Sequence, residues 1–174
     1  FCTPKGANIF GWAGVDGIHF CFVRGFGTQI FAVSPANAPG EFVHLIAADF
    51  ADFLRLLLAC GDSAALEQAW MWDEGTFDSF LQENPPTPEQ RSVLEQLSET
   101  LDLMPMEQPW AYLRDQRERL DAGKLRFSDE YYEVTGESKP KSGPWKVYFE
   151  GKARGKRAGK PLNLNAEFDW AGRH

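Results

Sequence analysis

Two of the three histidines, His19 and His44, fall in stretches that read as β-strands. Imidazoles facing one another across a sheet, with a carboxylate from Asp16 or Asp49, would form a metal or acid–base site of a small hydrolase or metal-dependent enzyme. Their spacing does not require this, and for two isolated strand histidines a surface or hydrogen-bonded structural role is the favoured reading. The acids Asp73, Glu74, Asp78 and Glu83 lie at spacings that place charges on the solvated side of short helices, where paired carboxylates seldom do acid–base work. Cys2, Cys21 and Cys60 are odd in number, widely spaced and set among apolar residues. That suits buried reduced thiols, not a disulfide framework or a zinc site. Gly25-Phe26-Gly27 and the glycines between 151 and 159 lack the spacing of a phosphate loop or dinucleotide fingerprint, and turn chemistry explains both. No catalytic residue, metal site or cofactor is therefore nominated.

The residues suited to recognition are of two kinds. Tryptophan supplies large rigid contact area and acids supply charge. On that basis Trp12, Asp16, Trp72, Asp73 and Glu74 are the candidate contacts for another protein. A separate stretch, residues 139–160, holds eight basic side chains against the single acid Glu150. Within it Lys152, Arg154, Lys156, Arg157 and Lys160 could neutralise phosphates, which makes nucleic-acid binding the alternative. Against that alternative, residues 1–138 carry nine basic and twenty-two acidic side chains, a net −13 that repels any polyanion. Nucleic acid is the less favoured partner.

These residues need positioning elements, and the first third of the chain offers strands. Aromatic and β-branched runs at 9–12, 18–23, 29–33 and 42–46 are separated by Gly- and Pro-bearing turns, with Asp16-Gly17 suited to the positive φ of a tight hairpin. From Ala48 the period becomes helical: Phe50, Phe53, Leu54, Leu57 and Leu58 share a face, and Gly61 ends it. Shorter helices follow around Leu66–Trp70 and Phe77–Leu81. Thr87-Pro88-Glu89-Gln90 is a capping box with proline at the first helical position, predicting a helix over 88–103. A further helix is expected over 109–121, with Trp110, Leu113 and Leu120 inward. Alternation at 145–149 and 162–168 reads as a hairpin around the basic connection.

The fold class expected is α+β, an N-terminal antiparallel sheet packed by several helices, with a C-terminal β-hairpin. Residues 1–138 form the α+β domain (sheet about 8–46, helices about 48–134), and 139–174 form the basic hairpin segment packed on the same domain. With 174 residues, 43% hydrophobic and 25% charged, the chain can bury a core without staples. No apolar run reaches the roughly 20 residues that a membrane helix needs, so no membrane partner is expected. No secretory signal opens the chain, and together with unpaired cysteines this favours a cytoplasmic setting. The lack of an initiator methionine and the abrupt end after a strand lead us to expect further sequence on either side.

The segments Ile9-Phe10-Gly11-Trp12, Gly17-Ile18-His19-Phe20-Cys21-Phe22, Ile30-Phe31-Ala32-Val33 and Ile46-Ala47-Ala48-Asp49-Phe50-Ala51-Asp52-Phe53-Leu54 resemble, in kind and order, the SUKH superfamily. That family includes yeast cell-wall regulators and many bacterial proteins. The resemblance spans about residues 9–60, and the family's N-terminal helices and Ser-Asn-Gly segment have no counterpart here. It implies a non-enzymatic protein-binding module, regulatory or acting as an immunity protein against a toxin. An acidic body suits a basic toxin partner.

Overall fold

The computed structural model describes residues 1–14 and 16–140. Four strands, β1 (Ala7–Trp12), β2 (His19–Val23), β3 (Ile30–Val33) and β4 (Val43–Ala47), form one antiparallel sheet in sequential order. Asp16 and Gly17 both take positive φ (53° and 70°) in the β1–β2 connection, which matches the strand twist as the sequence suggested. Six helices follow: α1 (Phe50–Cys60), α2 (Ala64–Gln68), α3 (Glu74–Glu83), α4 (Pro88–Leu101), α5 (Pro109–Arg119) and α6 (Asp129–Thr135). A 3-10 turn, Ala69–Met71, extends α2, and another, Ala122–Lys124, precedes α6. The described chain makes one compact unit, Phe1–Lys139.

Strand register divides the core in two. Phe20, Ile30, Ala32 and Ile46 point to one face, where they meet Phe53, Leu56 and Cys60 of α1, Leu66 of α2, Phe77 of α3 and Leu113 of α5. Cys21, Val23, Phe31, Val33, Val43 and Leu45 point to the other, where they are covered by Cys2, Phe42, Leu125, Phe127 and Tyr131. β3 and β4 are buried at every position. Apart from His44 they read as apolar runs because both of their faces are covered. β1 is the exception, an edge strand whose residues stay exposed or half-buried.

The expected C-terminal hairpin is corrected here. Among the described residues the last strand is β4, and everything regular after Ala47 is helical. The alternating stretches at 145–149 and 162–168 lie outside the described residues. Alternation is only a local preference, and a strand needs a partner to satisfy its backbone. The described sheet is built entirely from the first 47 residues. The architecture is thus a four-stranded N-terminal antiparallel sheet packed by helices.

Local chemistry fixes the helix ends. Asp49 caps α1 by accepting from the amide of Asp52 at 2.9 Å, and Gly61 closes it with φ 84° and a 2.9 Å bond from its amide to the Leu57 carbonyl. The capping box forms at α4, with Thr87 Oγ1 accepting from the Gln90 amide at 3.2 Å and Gln90 Oε1 accepting from the Thr87 amide at 2.8 Å. α4 ends at Leu101, two residues before the expected boundary, because Asp102 turns left-handed at φ 51°. Tyr112 ties α5 to the start of α1: its hydroxyl donates to Asp52 Oδ2 at 2.6 Å and accepts from the Ala48 amide at 3.0 Å.

Gly61 is required twice over. Its φ is left-handed, and a Cβ there would lie 2.9 Å from Cδ of Pro86, in the loop leading to α4. Gly136 closes α6 at φ 73° with open space around it. Gly136→Ala is expected to lose only the conformational term, about 1–2 kcal/mol. Gly61→Ala loses that and also displaces Pro86, so its urea midpoint should fall below that of Gly136→Ala. Equal midpoints would show that the approach of Pro86 is inconsequential.

Candidate functional site

The two histidines do not converge. His19 pairs with Val33, and Val33 with Val43, so His19 points to the face covered by Cys2 and the 125–131 segment. His44 pairs with Ala32, and Ala32 with Phe20, which places it on the opposite face. Each ring is also already engaged. Nδ1 of His19 donates to the Gly17 carbonyl at 2.8 Å, its Nε2 lies 3.3 Å from the Thr3 hydroxyl, and Trp12 covers it at 5.2 Å between ring centroids. His44 Nε2 donates to the Glu41 carbonyl at 2.8 Å while its ring stacks on Trp70 at 4.6 Å and 9°. Burial lowers the His44 pKa against the raising effects of the Glu41 carbonyl and carboxylate, and the nearby Arg117 guanidinium lowers it further.

The remaining reactive side chains are similarly occupied in the interior. All three cysteines are free and buried. Burial pushes the Cys21 and Cys60 thiols up to about 12, with the Asp62 carboxylate adding to the rise at Cys60, so neither is a thiolate near neutral pH. Glu67 of α2 is 6% exposed, and desolvation raises its pKa despite a side-chain hydrogen bond with Ser34. Among the described residues no group of three or more histidine, cysteine or acidic side chains is arranged to hold a metal.

The five residues singled out for recognition separate into two places. Trp12 on β1 is 65% exposed, and Asp16 is exposed in the adjoining turn. Trp72, Asp73 and Glu74 sit at the start of α3, and no described hydrogen bond or ring contact joins the two groups. Trp72 is half-buried: it packs on Phe80 at 4.7 Å, and its carbonyl accepts from Trp110 Nε1 at 3.2 Å. Asp73 caps α3, accepting from the Thr76 amide at 2.8 Å, and that bond holds its carboxyl below the usual range. Glu74 stands exposed in the first turn. Two of these three therefore have structural work. Lys152, Arg154, Lys156, Arg157 and Lys160 lie outside the described residues.

Other exposed apolar groups gather near Trp12. A bulge between Ile9 and Gly11 makes Phe10 an extra residue in β1. It is turned onto Phe22, Phe50 and Phe53 at centroid distances of 5.1–5.4 Å. Ile9, Phe10 and Phe50 remain 38%, 37% and 45% exposed. Ile9 and Trp12, paired with Cys21 and His19, stand on the opposite side of β1 from Phe10. The edge strand thus shows large apolar side chains on both faces. Sequence reasoning identified Trp12 alone, because Phe50 fits an inward helical stripe and Phe10 fits an inward strand position. The signal that separates them is Gly11, a common mark of a bulge.

Two concavities complete the surface. A groove of about 450 Å³ lies where α4 meets α1 and α3, between Leu58, Leu81, Leu94, Pro85, Pro86 and Arg91. It reflects loose seating, since α4 has no buried residue. A smaller niche of about 50 Å³ lies between β4, the Ala69–Met71 turn and α5, lined by His44, Trp70, Trp72, Trp110, Arg114 and Arg117 among others.

Glu67 gives the interior a measurable pH response. Its folded pKa lies above the ordinary 4.5, so its contribution to stability is fully present below pH 4.5 and is lost as pH rises through the folded value. Glu67→Gln keeps a partner for Ser34 without the buried charge. It should unfold at higher urea than wild type at pH 7, with the gap closing near pH 4. A lower midpoint at pH 7 would mean that the ionised carboxylate is stabilised inside.

Comparison of the sequence with family models and with curated proteins, and of the fold with solved structures, returns no match.

Proposed function

We propose that this protein is a non-enzymatic recognition module that binds another, basic protein through the apolar edge of its sheet. The observation that carries this reading is the exposure of Trp12, Ile9, Phe10 and Phe50 around β1, in a domain whose other strands are buried on both faces. Large apolar groups clustered on a surface mark contact sites, and tryptophan is the residue type that most often dominates their energy. The bulge at Phe10 interrupts the regular outer edge, which disfavours addition of a long partner strand. The contact is therefore made by side chains, with Trp12 and Asp16 at one end and Phe10 with Phe50 on the helical side.

The charge of the partner follows from the acidity of residues 1–138. A net −13 speeds encounter with a cationic surface and slows it with an anionic one. The SUKH-like order of elements over residues 9–60 suggests the same class of role, a regulator or an immunity protein whose partner is a toxin. Two features support a binding role over catalysis: His19 and His44 lie on opposite faces of the sheet, and burial keeps the Cys21 and Cys60 thiols protonated.

Placing a photo-crosslinking amino acid at position 12, and separately at the exposed Val134 on α6, tests this in the native host. Position 12 should trap a defined basic protein that position 134 does not. Trp12→Ala should weaken the purified pair at least tenfold, about 1.4 kcal/mol or more. Equal products from both positions, or undiminished affinity in Trp12→Ala, would rule the edge out as the docking surface.

A further inference from the structure

The niche between β4 and α5 has a chemistry of its own. Three indoles, those of Trp70, Trp72 and Trp110, form its walls, and His44 stacks on the Trp70 ring. Two guanidinium groups stand at these walls. Arg114 lies 5.2 Å from the Trp110 ring centroid, and Arg117 lies 5.9 Å from that of Trp70. Arg117 is fixed there by a 2.7 Å bond from its Nη1 to the Trp70 carbonyl. Trp110 is fixed by its own bond to the Trp72 carbonyl. One group is left over: the indole N–H of Trp70 is buried and has no acceptor among the described residues. Buried donors are almost always paired, with protein groups, water or a ligand, so this one is suited to an acceptor beyond the described residues.

We propose that the niche between β4 and α5 binds a carboxylate, held by the Trp70 indole N–H and the Arg114 and Arg117 guanidinium groups. The donors present are all N–H groups, two of them charged, and a planar carboxylate matches the guanidinium fork. An aromatic-walled pocket can also take an organic cation, but two arginines on the walls repel one. The niche is the smaller of the two concavities described, which favours a small acid or a single acidic side chain over a nucleotide. Among the described residues Arg114 pairs with Asp115 at 3.1 Å, and the Glu41 carboxylate lies 4.0 Å from His44 Nε2. The carboxylate arrives either as a small free acid or as an acidic side chain of a peptide. This site is separate from the β1 edge, and each stands or falls without the other.

Indole N–H resonances of the full chain, followed by NMR, provide the test. The probes are sodium acetate, the N-acetylated and C-amidated peptide Ala-Glu-Ala, and its Ala-Gln-Ala counterpart, each against sodium chloride at equal ionic strength. Trp70→Phe identifies the relevant resonance by its loss. That resonance should move saturably with acetate, in the millimolar range expected of so small a ligand. Saturation by acetate alone assigns the niche to small free acids, and saturation by the glutamate peptide but not the glutamine peptide extends it to acidic side chains. Arg114→Gln, a half-exposed change that leaves the core intact, should weaken the response three- to tenfold. A Trp70 resonance that moves no more with acetate than with chloride, or a response unchanged in Arg114→Gln, would overturn the assignment.

Discussion

Past its first strand, this sheet has no polar face. β2, β3 and β4 turn apolar side chains to both sides, so each face must be covered, and no position is left for the alternation of a half-solvated sheet. Two separate parts of the chain meet that demand. Helices α1, α2, α3 and α5 cover one face through Phe53, Leu56, Leu66, Phe77 and Leu113. The N-terminal segment and the stretch before and within α6 cover the other through Cys2, Leu125, Phe127 and Tyr131. Phe77 shows how narrow some attachments are: it is the one buried residue of α3, and truncating such a phenylalanine typically costs about 3–5 kcal/mol.

That constraint also draws several reactive side chains inward. Among the described residues, His19, His44, the thiols and Glu67 lie on elements that must pack, and each is buried. Charge is left to the outside, mostly as carboxylate on helix surfaces. β1 escapes double burial although β4, the other edge, does not, because the α1 start packs on only one side of β1 through Phe10. Its large side chains are thus half-covered, a state that contributes less stability than full burial and leaves area for a partner.

Much of the fold could be read from residue types and spacing. The four strands, the Asp16-Gly17 turn, the Gly61 stop and the Thr87–Gln90 capping box all rest on local stereochemistry, and they appear where that stereochemistry puts them. What failed depended on register or on distant neighbours. Whether His19 and His44 share a face turns on a one-residue parity between strands that no local pattern reveals. Asp73 looked like a surface acid beside a tryptophan, yet an aspartate just before a helical run is first of all a cap. The Trp70–Arg117 and Trp110–Arg114 groupings are half legible. Trp110 and Arg114 are four apart on one helix, whereas Trp70 comes from a turn forty-seven residues before Arg117.

The bonds that tie the opening residues to the end of the unit bear on how this chain is made. The Lys5 amide donates to the Arg126 carbonyl at 2.6 Å, and the Ser128 hydroxyl reaches the Phe1 carbonyl at 3.4 Å. During synthesis the helical side of the sheet can be assembled once α5 has left the ribosome. The opposite side stays wet until Tyr131 follows, with Cys21, Phe31 and Leu45 uncovered in the interval. A nascent chain in that condition offers a greasy sheet surface to any chaperone waiting at the exit.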